Sequence, residues 1–296
     1  MKKNSGYKET MSYRITDCRT LPAARLCAAM NAAFSDYVVP LSLTEDKFRD
    51  FQKQRGFSPE HSFVALAGEE IAAFWFSSPP LSAYDGHAYT LSVGTAPAYR
   101  RKGLSRQLLH KVIDRQKPDE GRGLQLEVIT TNDKAVKAYR DFGFEVSRTL
   151  RVCRTAGERP DVSQKTEFTA EKIRLDQLPD DESLFFDTRP TPQNSRAALS
   201  ALQDTAHVLA VWMDGGLIGW GAAYADGSVA QIAVLKEFRR RGAGRALLHG
   251  LWCATGADRL TFVNVDTAAK GVNAFLDDAG VEDRVHQSEM RLTQEH

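Results

Sequence analysis

Little in this chain marks it for the cell surface, a membrane or a polyanion. Its 296 residues include four cysteines, Cys18, Cys27, Cys153 and Cys253, at spacings that suit neither a disulfide framework nor a tetrahedral metal centre. Reduced thiols packed as small hydrophobes in a cytoplasmic protein are the expectation, with no metal implied. No apolar run approaches the roughly 20 residues a bilayer-spanning helix requires, and Met1 to Gly6 lacks the apolar stretch of a secretion signal. Net charge is nearly absent too, with 39 Lys and Arg against 38 Asp and Glu. So even a balance offers no long-range field to hold nucleic acid or an anionic membrane, and any basic function must be local.

What the chain does have is length. At 296 residues and 42% hydrophobic content it exceeds the usual size of one core, and two domains are expected. Residues 1–10 read as a disordered polar tail.

An internal repeat then organises the rest. Residues 93–110 align without a gap on residues 232–249, at a constant offset of 139. Tyr99 meets Phe238, Arg100 meets Arg239, Gly103 meets Gly242, Arg106 meets Arg245, and Leu108-Leu109-His110 meets Leu247-Leu248-His249. Each copy runs from the end of an apolar strand through a short turn into a helix with paired leucines. Upstream of each copy lies a hairpin pattern, 63–66 with 71–76 in one half and 208–212 with 217–224 in the other. Helices are signalled over 21–34 and over 44–55, the second by Thr44 as N-cap, Glu45 and Asp46 in the first turn and Gly56 as terminator. Between the halves, Arg154 to Asp161 mixes charge, Gly and Pro without apolar periodicity and reads as a linker. The expected division is residues 11–158 and 159–296.

Both copies carry R-x-x-G-x-G/S: Arg100, Gly103 and Ser105, then Arg239, Gly242 and Gly244. Small residues let a backbone approach a pyrophosphate, whose charge is met by free N–H groups at a helix start, and neighbouring cations add attraction. The pattern resembles the phosphate loop of the GNAT superfamily of acyl-CoA-dependent N-acyltransferases. A second motif strengthens it: Asn132 to Phe144 is similar to the family's N-x-x-A-x-x-x-Y-x-x-x-G-F segment. The resemblance implies an α/β (α+β) fold of two tandem GNAT-like domains, each with a mixed, mostly antiparallel central sheet flanked by helices. It implies acetyl-CoA as donor, its pantetheine entering where the fourth and fifth strands splay apart. Those strands are expected at 88–94 and 124–130, with Gly94 read either as a bulge that starts the splay or as ordinary turn entry. Cofactor contacts are expected from Val93, Thr95, Arg100, Arg101, Lys102, Gly103, Leu104, Ser105 and Asn132, and in the second copy from Arg239, Arg241, Gly242 and Gly244.

The activity implied is transfer of acetyl directly to an amine of a small molecule or peptide. By resemblance, Tyr139 protonates the departing thiolate. Glu127, among apolar residues of the fifth strand, is read as relaying a proton, anchoring a cationic acceptor or serving a structural hydrogen bond. Phe34, Tyr37 and Trp75 are candidates for the acceptor pocket. Aligning Gly280 on Gly143 sets Leu276 opposite Tyr139 and Asn264 opposite Glu127, and a one-residue slip sets Phe275 opposite Tyr139. The second half thus keeps the loop without either chemical group, leaving Asp266 as the nearest carboxylate. A CoA-binding sensor without turnover, or a transferase with another acyl donor, fits the same motifs. A monomer or homodimer is expected.

Overall fold

The computed structural model describes residues 12–36, 42–157 and 166–294. The expected tail, Tyr37 and the later part of the expected linker lie outside the described residues. The described chain clusters into two compact units, one of residues 12–36, 42–52, 56–124 and 294, the other of residues 53–55, 125–157 and 166–293.

In the first unit, β1 (Arg14–Asp17) is followed by α1 (Ala23–Ala33), α2 (Glu45–Gln54), β2 (Phe63–Ala67), β3 (Glu70–Leu81), β4 (His87–Thr95) and α3 (Leu104–Gln116). The strands lie in the order β1-β2-β3-β4, antiparallel throughout. Leu26, Met30 and Ala33 recur at helical spacing on α1 and bury against Phe48, Phe74 and Phe76. The signals read for α2 are in place: Thr44 Oγ1 accepts from Lys47 N at 3.4 Å, and Gly56 follows the helix with φ of 68°.

Gly94 is not at a bulge. It pairs in register with Phe74, and a Cβ there would lie 2.5 Å from that ring and 2.8 Å from Ala33 Cβ. Its need is close approach of strand and helix. The break in register falls three residues earlier, where Ser92 and Thr90 pair with consecutive residues of β3 and Leu91 is the extra residue. Ala230 is the extra residue in the matching strand of the second copy, again 139 positions later.

The second unit contains β5 (Gly123–Ile129), α4 (Asp133–Asp141), β6 (Glu145–Thr155), β7 (Glu171–Lys172), α5 (Arg196–Ala201), β8 (Ala206–Met213), β9 (Gly216–Tyr224), β10 (Ser228–Val234), α6 (Ala243–Thr255), β11 (Thr261–Asp266), α7 (Lys270–Asp278) and β12 (Val281–Thr293). Its strand order is β5-β12-β6-β11-β10-β9-β8-β7. β6, from the first repeat, is paired antiparallel with both β11 and β12 of the second. The leucines of α6, Leu247, Leu248 and Leu251, join Leu209, Ile218 and Phe262 in a continuous core.

Candidate active site

The second unit builds its site around the loop between β10 and α6. A single 3-10 turn, Lys236–Phe238, leads into extended Arg239, then Arg240 at φ of 65° and Gly242 at φ of 101°. A side chain at Gly242 would be strained by that backbone and would lie 2.7 Å from Thr166 Oγ1. Arg245 N and Ala246 N both bond back to Gly242 O. The amides that precede them head α6, where first-turn N–H groups lack intrahelical acceptors and the helix dipole is positive. The first unit repeats this geometry 139 residues earlier, with Arg101 at φ of 61°, Gly103 at 73° and buried Leu104 opening α3. Ser105 there sets its hydroxyl 3.3 Å from Thr95 Oγ1.

The arginine that begins each motif is committed to its own unit. Arg239 donates from Nε to Val234 O at 2.9 Å, from Nη1 to Asp187 at 2.7 Å and from Nη2 to Phe185 O at 3.2 Å. Arg100 does the same, from Nε to Thr95 O at 3.2 Å, to both Asp36 oxygens at 2.7 and 2.6 Å, and to Ala33 O at 3.1 Å. Each guanidinium therefore ties the strand end to a segment earlier in its own repeat. Burial pushes the Asp187 carboxyl up, but Arg239 and the Gly271 amide outweigh it and hold it below the usual carboxylate range.

In front of this loop the sheet opens. β10 and β11 run parallel and pair only at Ser228 with Thr261 and Val229 with Phe262. Beyond that point lies a cavity of about 700 Å³, lined by residues of β10 and β11, Arg239 to Arg245, and Phe275 of α7. Leu235 N donates to Ile218 O across to β9, so strand alternation turns the backbone groups of Val234 and Ile232 the other way, toward the opening. Val234 O, bonded by Arg239, confirms that direction. In β4 the same logic applies: Ala96 N bonds Ala72 O of β3, so Thr95 and Val93 turn away from β3.

The inner end of the cavity is polar. Asn194, from a turn at Pro192–Asn194, donates from Nδ2 to Val263 O at 2.6 Å, and its backbone carbonyl accepts from Gln231 Nε2. Asn264 adopts φ of 59° at an irregularity in β11, which asparagine tolerates, and bonds Thr191 and Gln287. Asp266 accepts from Ala268 N at 2.8 Å and faces Arg148 at 3.3 Å. Phe275 covers the loop: a Cβ on Gly244 would lie 3.1 Å from its ring. Leu276 is fully buried. Neither has an ionisable hydroxyl, as the sequence alignment anticipates.

The remaining candidates fall as follows. Tyr139 is half-buried on α4, its ring edge-on to Phe144 at 5.6 Å. Asn132 caps the same helix, accepting from Ala135 N at 3.2 Å. Glu127 is half-buried on β5. Trp75 is fully buried and donates its indole N–H to Thr90 Oγ1 at 3.1 Å, and Phe34 packs edge-on to Phe74. Trp75 is a core residue, a role that an aromatic in an apolar run does not reveal by itself, whereas Phe34 is half-buried against the edge of that core. Lys102 lies over the rings of Tyr13 and Tyr99, and Arg241 over Phe238. The Asn194 part of the second cleft's floor escaped the sequence reading, since 186–195 has no periodicity to place it. Glu60, His61 and Asp119 gather in the first unit despite their separation in sequence, with Arg115 donating to both carboxylates at 2.6 and 2.9 Å.

Known proteins match this arrangement. A model described as the acetyltransferase (GNAT) family matches residues 27–144, and one described as an acetyltransferase (GNAT) domain matches 166–276. Mycothiol acetyltransferase of Brachybacterium faecium is 30% identical over 116 residues, 39% of this chain and 35% of that protein. N-alpha-acetyltransferase RimI of Mycobacterium tuberculosis is 36% identical over 81 residues, 27% of this chain and 46% of that protein. The chain thus spans less than half the length of either relative. Among solved structures, a tandem GNAT protein from the clavulanic acid biosynthesis pathway has a TM-score of 0.65 at 14% identity, covering 95% of this chain and 98% of that one. A GCN5-related N-acetyltransferase from Sphaerobacter thermophilus has a TM-score of 0.68 at 16% identity, covering 95% of each. These two share the fold. With a loop, a bulge and an arginine clamp recurring at one offset, and a family model on each half, the chain belongs to the GNAT acetyltransferase family as two domains in tandem.

Proposed function

We propose that the chain is an N-acetyltransferase that moves acetyl from acetyl-CoA directly to an amine of a small molecule or peptide. The observation that carries this reading is the second unit's cleft, open where β10 and β11 part and headed by the Arg239–Gly244 loop. There the diphosphate takes the amides of Ala243 and Gly244, with Arg241 and Arg245 supplying charge. Arg239, like Arg100, holds the loop's shape. The turned-out backbone of Ile232 and Val234 suits pantetheine and the thioester carbonyl, where a fixed N–H donor stabilises the developing oxyanion by about 3 kcal/mol. The relatives' names fit small-molecule and protein amines alike.

The groups assigned to the transfer itself belong to the first repeat, whose loop, bulge and arginine clamp match those of the second, while the second cleft displays the cofactor geometry without them. Tyr139 protonates the thiolate, and Glu127 relays the proton lost by the attacking nitrogen. A primary ammonium, with a pKa near ~10, must shed that proton before it can attack. The expected partition is 11–158 for the chemistry and 159–296 for a GNAT-like domain that keeps the phosphate loop without the catalytic groups and binds CoA weakly or serves structurally. The second reading, a CoA sensor without turnover, draws on Phe275 and Leu276 standing where the first repeat has its tyrosine.

Free-thiol release from acetyl-CoA, followed with a panel of primary amines, tests the assignment. Turnover that falls about tenfold in Tyr139→Phe supports it, the size reflecting a thiolate that already leaves tolerably. CoA binding with no thiol release above background for any amine supports the sensor.

A further inference from the structure

His61 lies in the connection between α2 and β2 of the first unit and is only 3% exposed. Both of its ring nitrogens are engaged. Nε2 is 2.6 Å from Asp119 Oδ2, and Nδ1 is 2.7 Å from Ser58 Oγ. The direction of both bonds follows from chemistry. The bond to His61, above all, holds the Asp119 carboxyl below the usual carboxylate range, so Asp119 is ionised and can only accept. Nε2 therefore carries the hydrogen, and in the neutral ring Nδ1 keeps its lone pair and takes the Ser58 hydroxyl as donor. Arg115 donates to Asp119 at 2.9 Å and to Glu60 at 2.6 Å, balancing the two carboxylates beside the ring. A hydroxyl bonded to an imidazole whose other nitrogen is oriented by a carboxylate is the arrangement that activates a serine, and geometry identifies it whatever the order in sequence.

We propose that Ser58 is a nucleophile that takes the acyl group of an activated ester and keeps it as a serine ester. The site is separate from the phosphate loop: Asp119 ends the 3-10 turn after α3, whose 13 residues put about 20 Å between the loop and this end. The Ser58 oxygen forms the new bond to the acyl carbon, and the ester C–O bond to the leaving group breaks. The hydroxyl proton passes through His61 Nδ1 to the departing oxygen, giving an acyl-serine and an alcohol with the imidazole neutral again. The surroundings set the substrate class. Pro59, next in the chain, has no N–H, and Ser58 N is spent on Ser77 O at 3.0 Å, so neither adjacent amide can meet an oxyanion. Only an ester whose leaving group departs readily is attacked, and hydrolysis of the acyl-serine, which needs the same stabilisation, lags behind. Ser58 is half-buried near exposed Gly56 and Pro59, a setting that suits a small ester.

Incubating the full chain with 4-nitrophenyl acetate in the absence of CoA, and locating acetyl groups by peptide mass spectrometry, tests this. Acetyl should accumulate on Ser58, and its rate of attachment there should fall about a hundredfold in His61→Gln and in Asp119→Asn, the scale of a lost general base. Asp119 is 38% exposed, and an amide in its place no longer demands the hydrogen on Nε2, so Asp119→Asn decides where His61→Gln fails to fold. A wild-type chain that carries no acetyl on Ser58 overturns the proposal. So does labelling of Ser58 that either change leaves intact in a folded chain, which would mark an ordinary hydroxyl.

Discussion

Arg239 Nη1 lies 2.7 Å from Asp187 Oδ1, and the pair fixes the entrance to the second cleft. Asp187 also accepts from Gly271 N at 2.8 Å, so one carboxylate joins the phosphate loop to the start of α7. Arg100 and Asp36 form the corresponding pair in the first unit at 2.6 Å, in a more exposed setting. A motif arginine that looks like a phosphate ligand is thus a brace, and its removal should act through loop shape.

Replacing Arg239 by Met should lower stability by about 2 kcal/mol, the scale of hydrogen bonds to charged groups, and should weaken CoA binding with it. Arg239→Lys should not restore either, because one ammonium cannot reach Val234 O, Asp187 and Phe185 O together. Urea unfolding of the three chains checks this.

The same pair sets an acid limit. Asp187 titrates below its unfolded value of about 3.9, so its contribution is complete above roughly pH 5 and is lost as pH falls through the folded pKa. The difference in urea midpoint between wild type and Asp187→Asn should be constant from pH 7 to 5 and shrink toward pH 3. A difference that grows in acid would reverse the sign.

Gly244 and Phe275 should behave as a coupled pair. Gly244→Ser puts a Cβ about 3.1 Å from the Phe275 ring and should cost about 1–2 kcal/mol. In a Phe275→Ala background the same change should cost much less. That combination reproduces Ser105 and Ala138 of the first repeat. A double-mutant cycle in unfolding free energy with no coupling would contradict it.

Thiol reactivity should be confined to one site. Cys253 is exposed, whereas Cys18, Cys27 and Cys153 are buried, and burial pushes the Cys153 thiol up to about 11. An aromatic disulfide reagent should titrate one thiol in the native chain and four in denaturant.

Much of this was legible in the sequence. The 139-residue repeat, the glycine at each helix start and the paired leucines all report local backbone needs, which residue type reveals directly. Side-chain direction is different. Nothing in the string distinguishes an arginine facing a phosphate from one braced on Asp187, or a tryptophan in a pocket from Trp75 in the core. Gly94 was legible as special but not why, since its reason is the ring of Phe74 on a neighbouring strand. The seating of β6 between β11 and β12 depends on pairings more than 100 residues apart, beyond the reach of local pattern. Asn194 and Gln231 went unseen because the bond that joins them links two segments 37 residues apart that share no local pattern.

The central claim is that helix-start amides behind Gly242 grip a nucleotide diphosphate. Calorimetric titration of CoA into the intact chain measures this most directly, beside a chain carrying Gly242→Trp. The account predicts heat of association in the first and loss of the second cleft's share in the other. A flat titration of the unaltered chain, or an isotherm that Gly242→Trp leaves untouched, would contradict it.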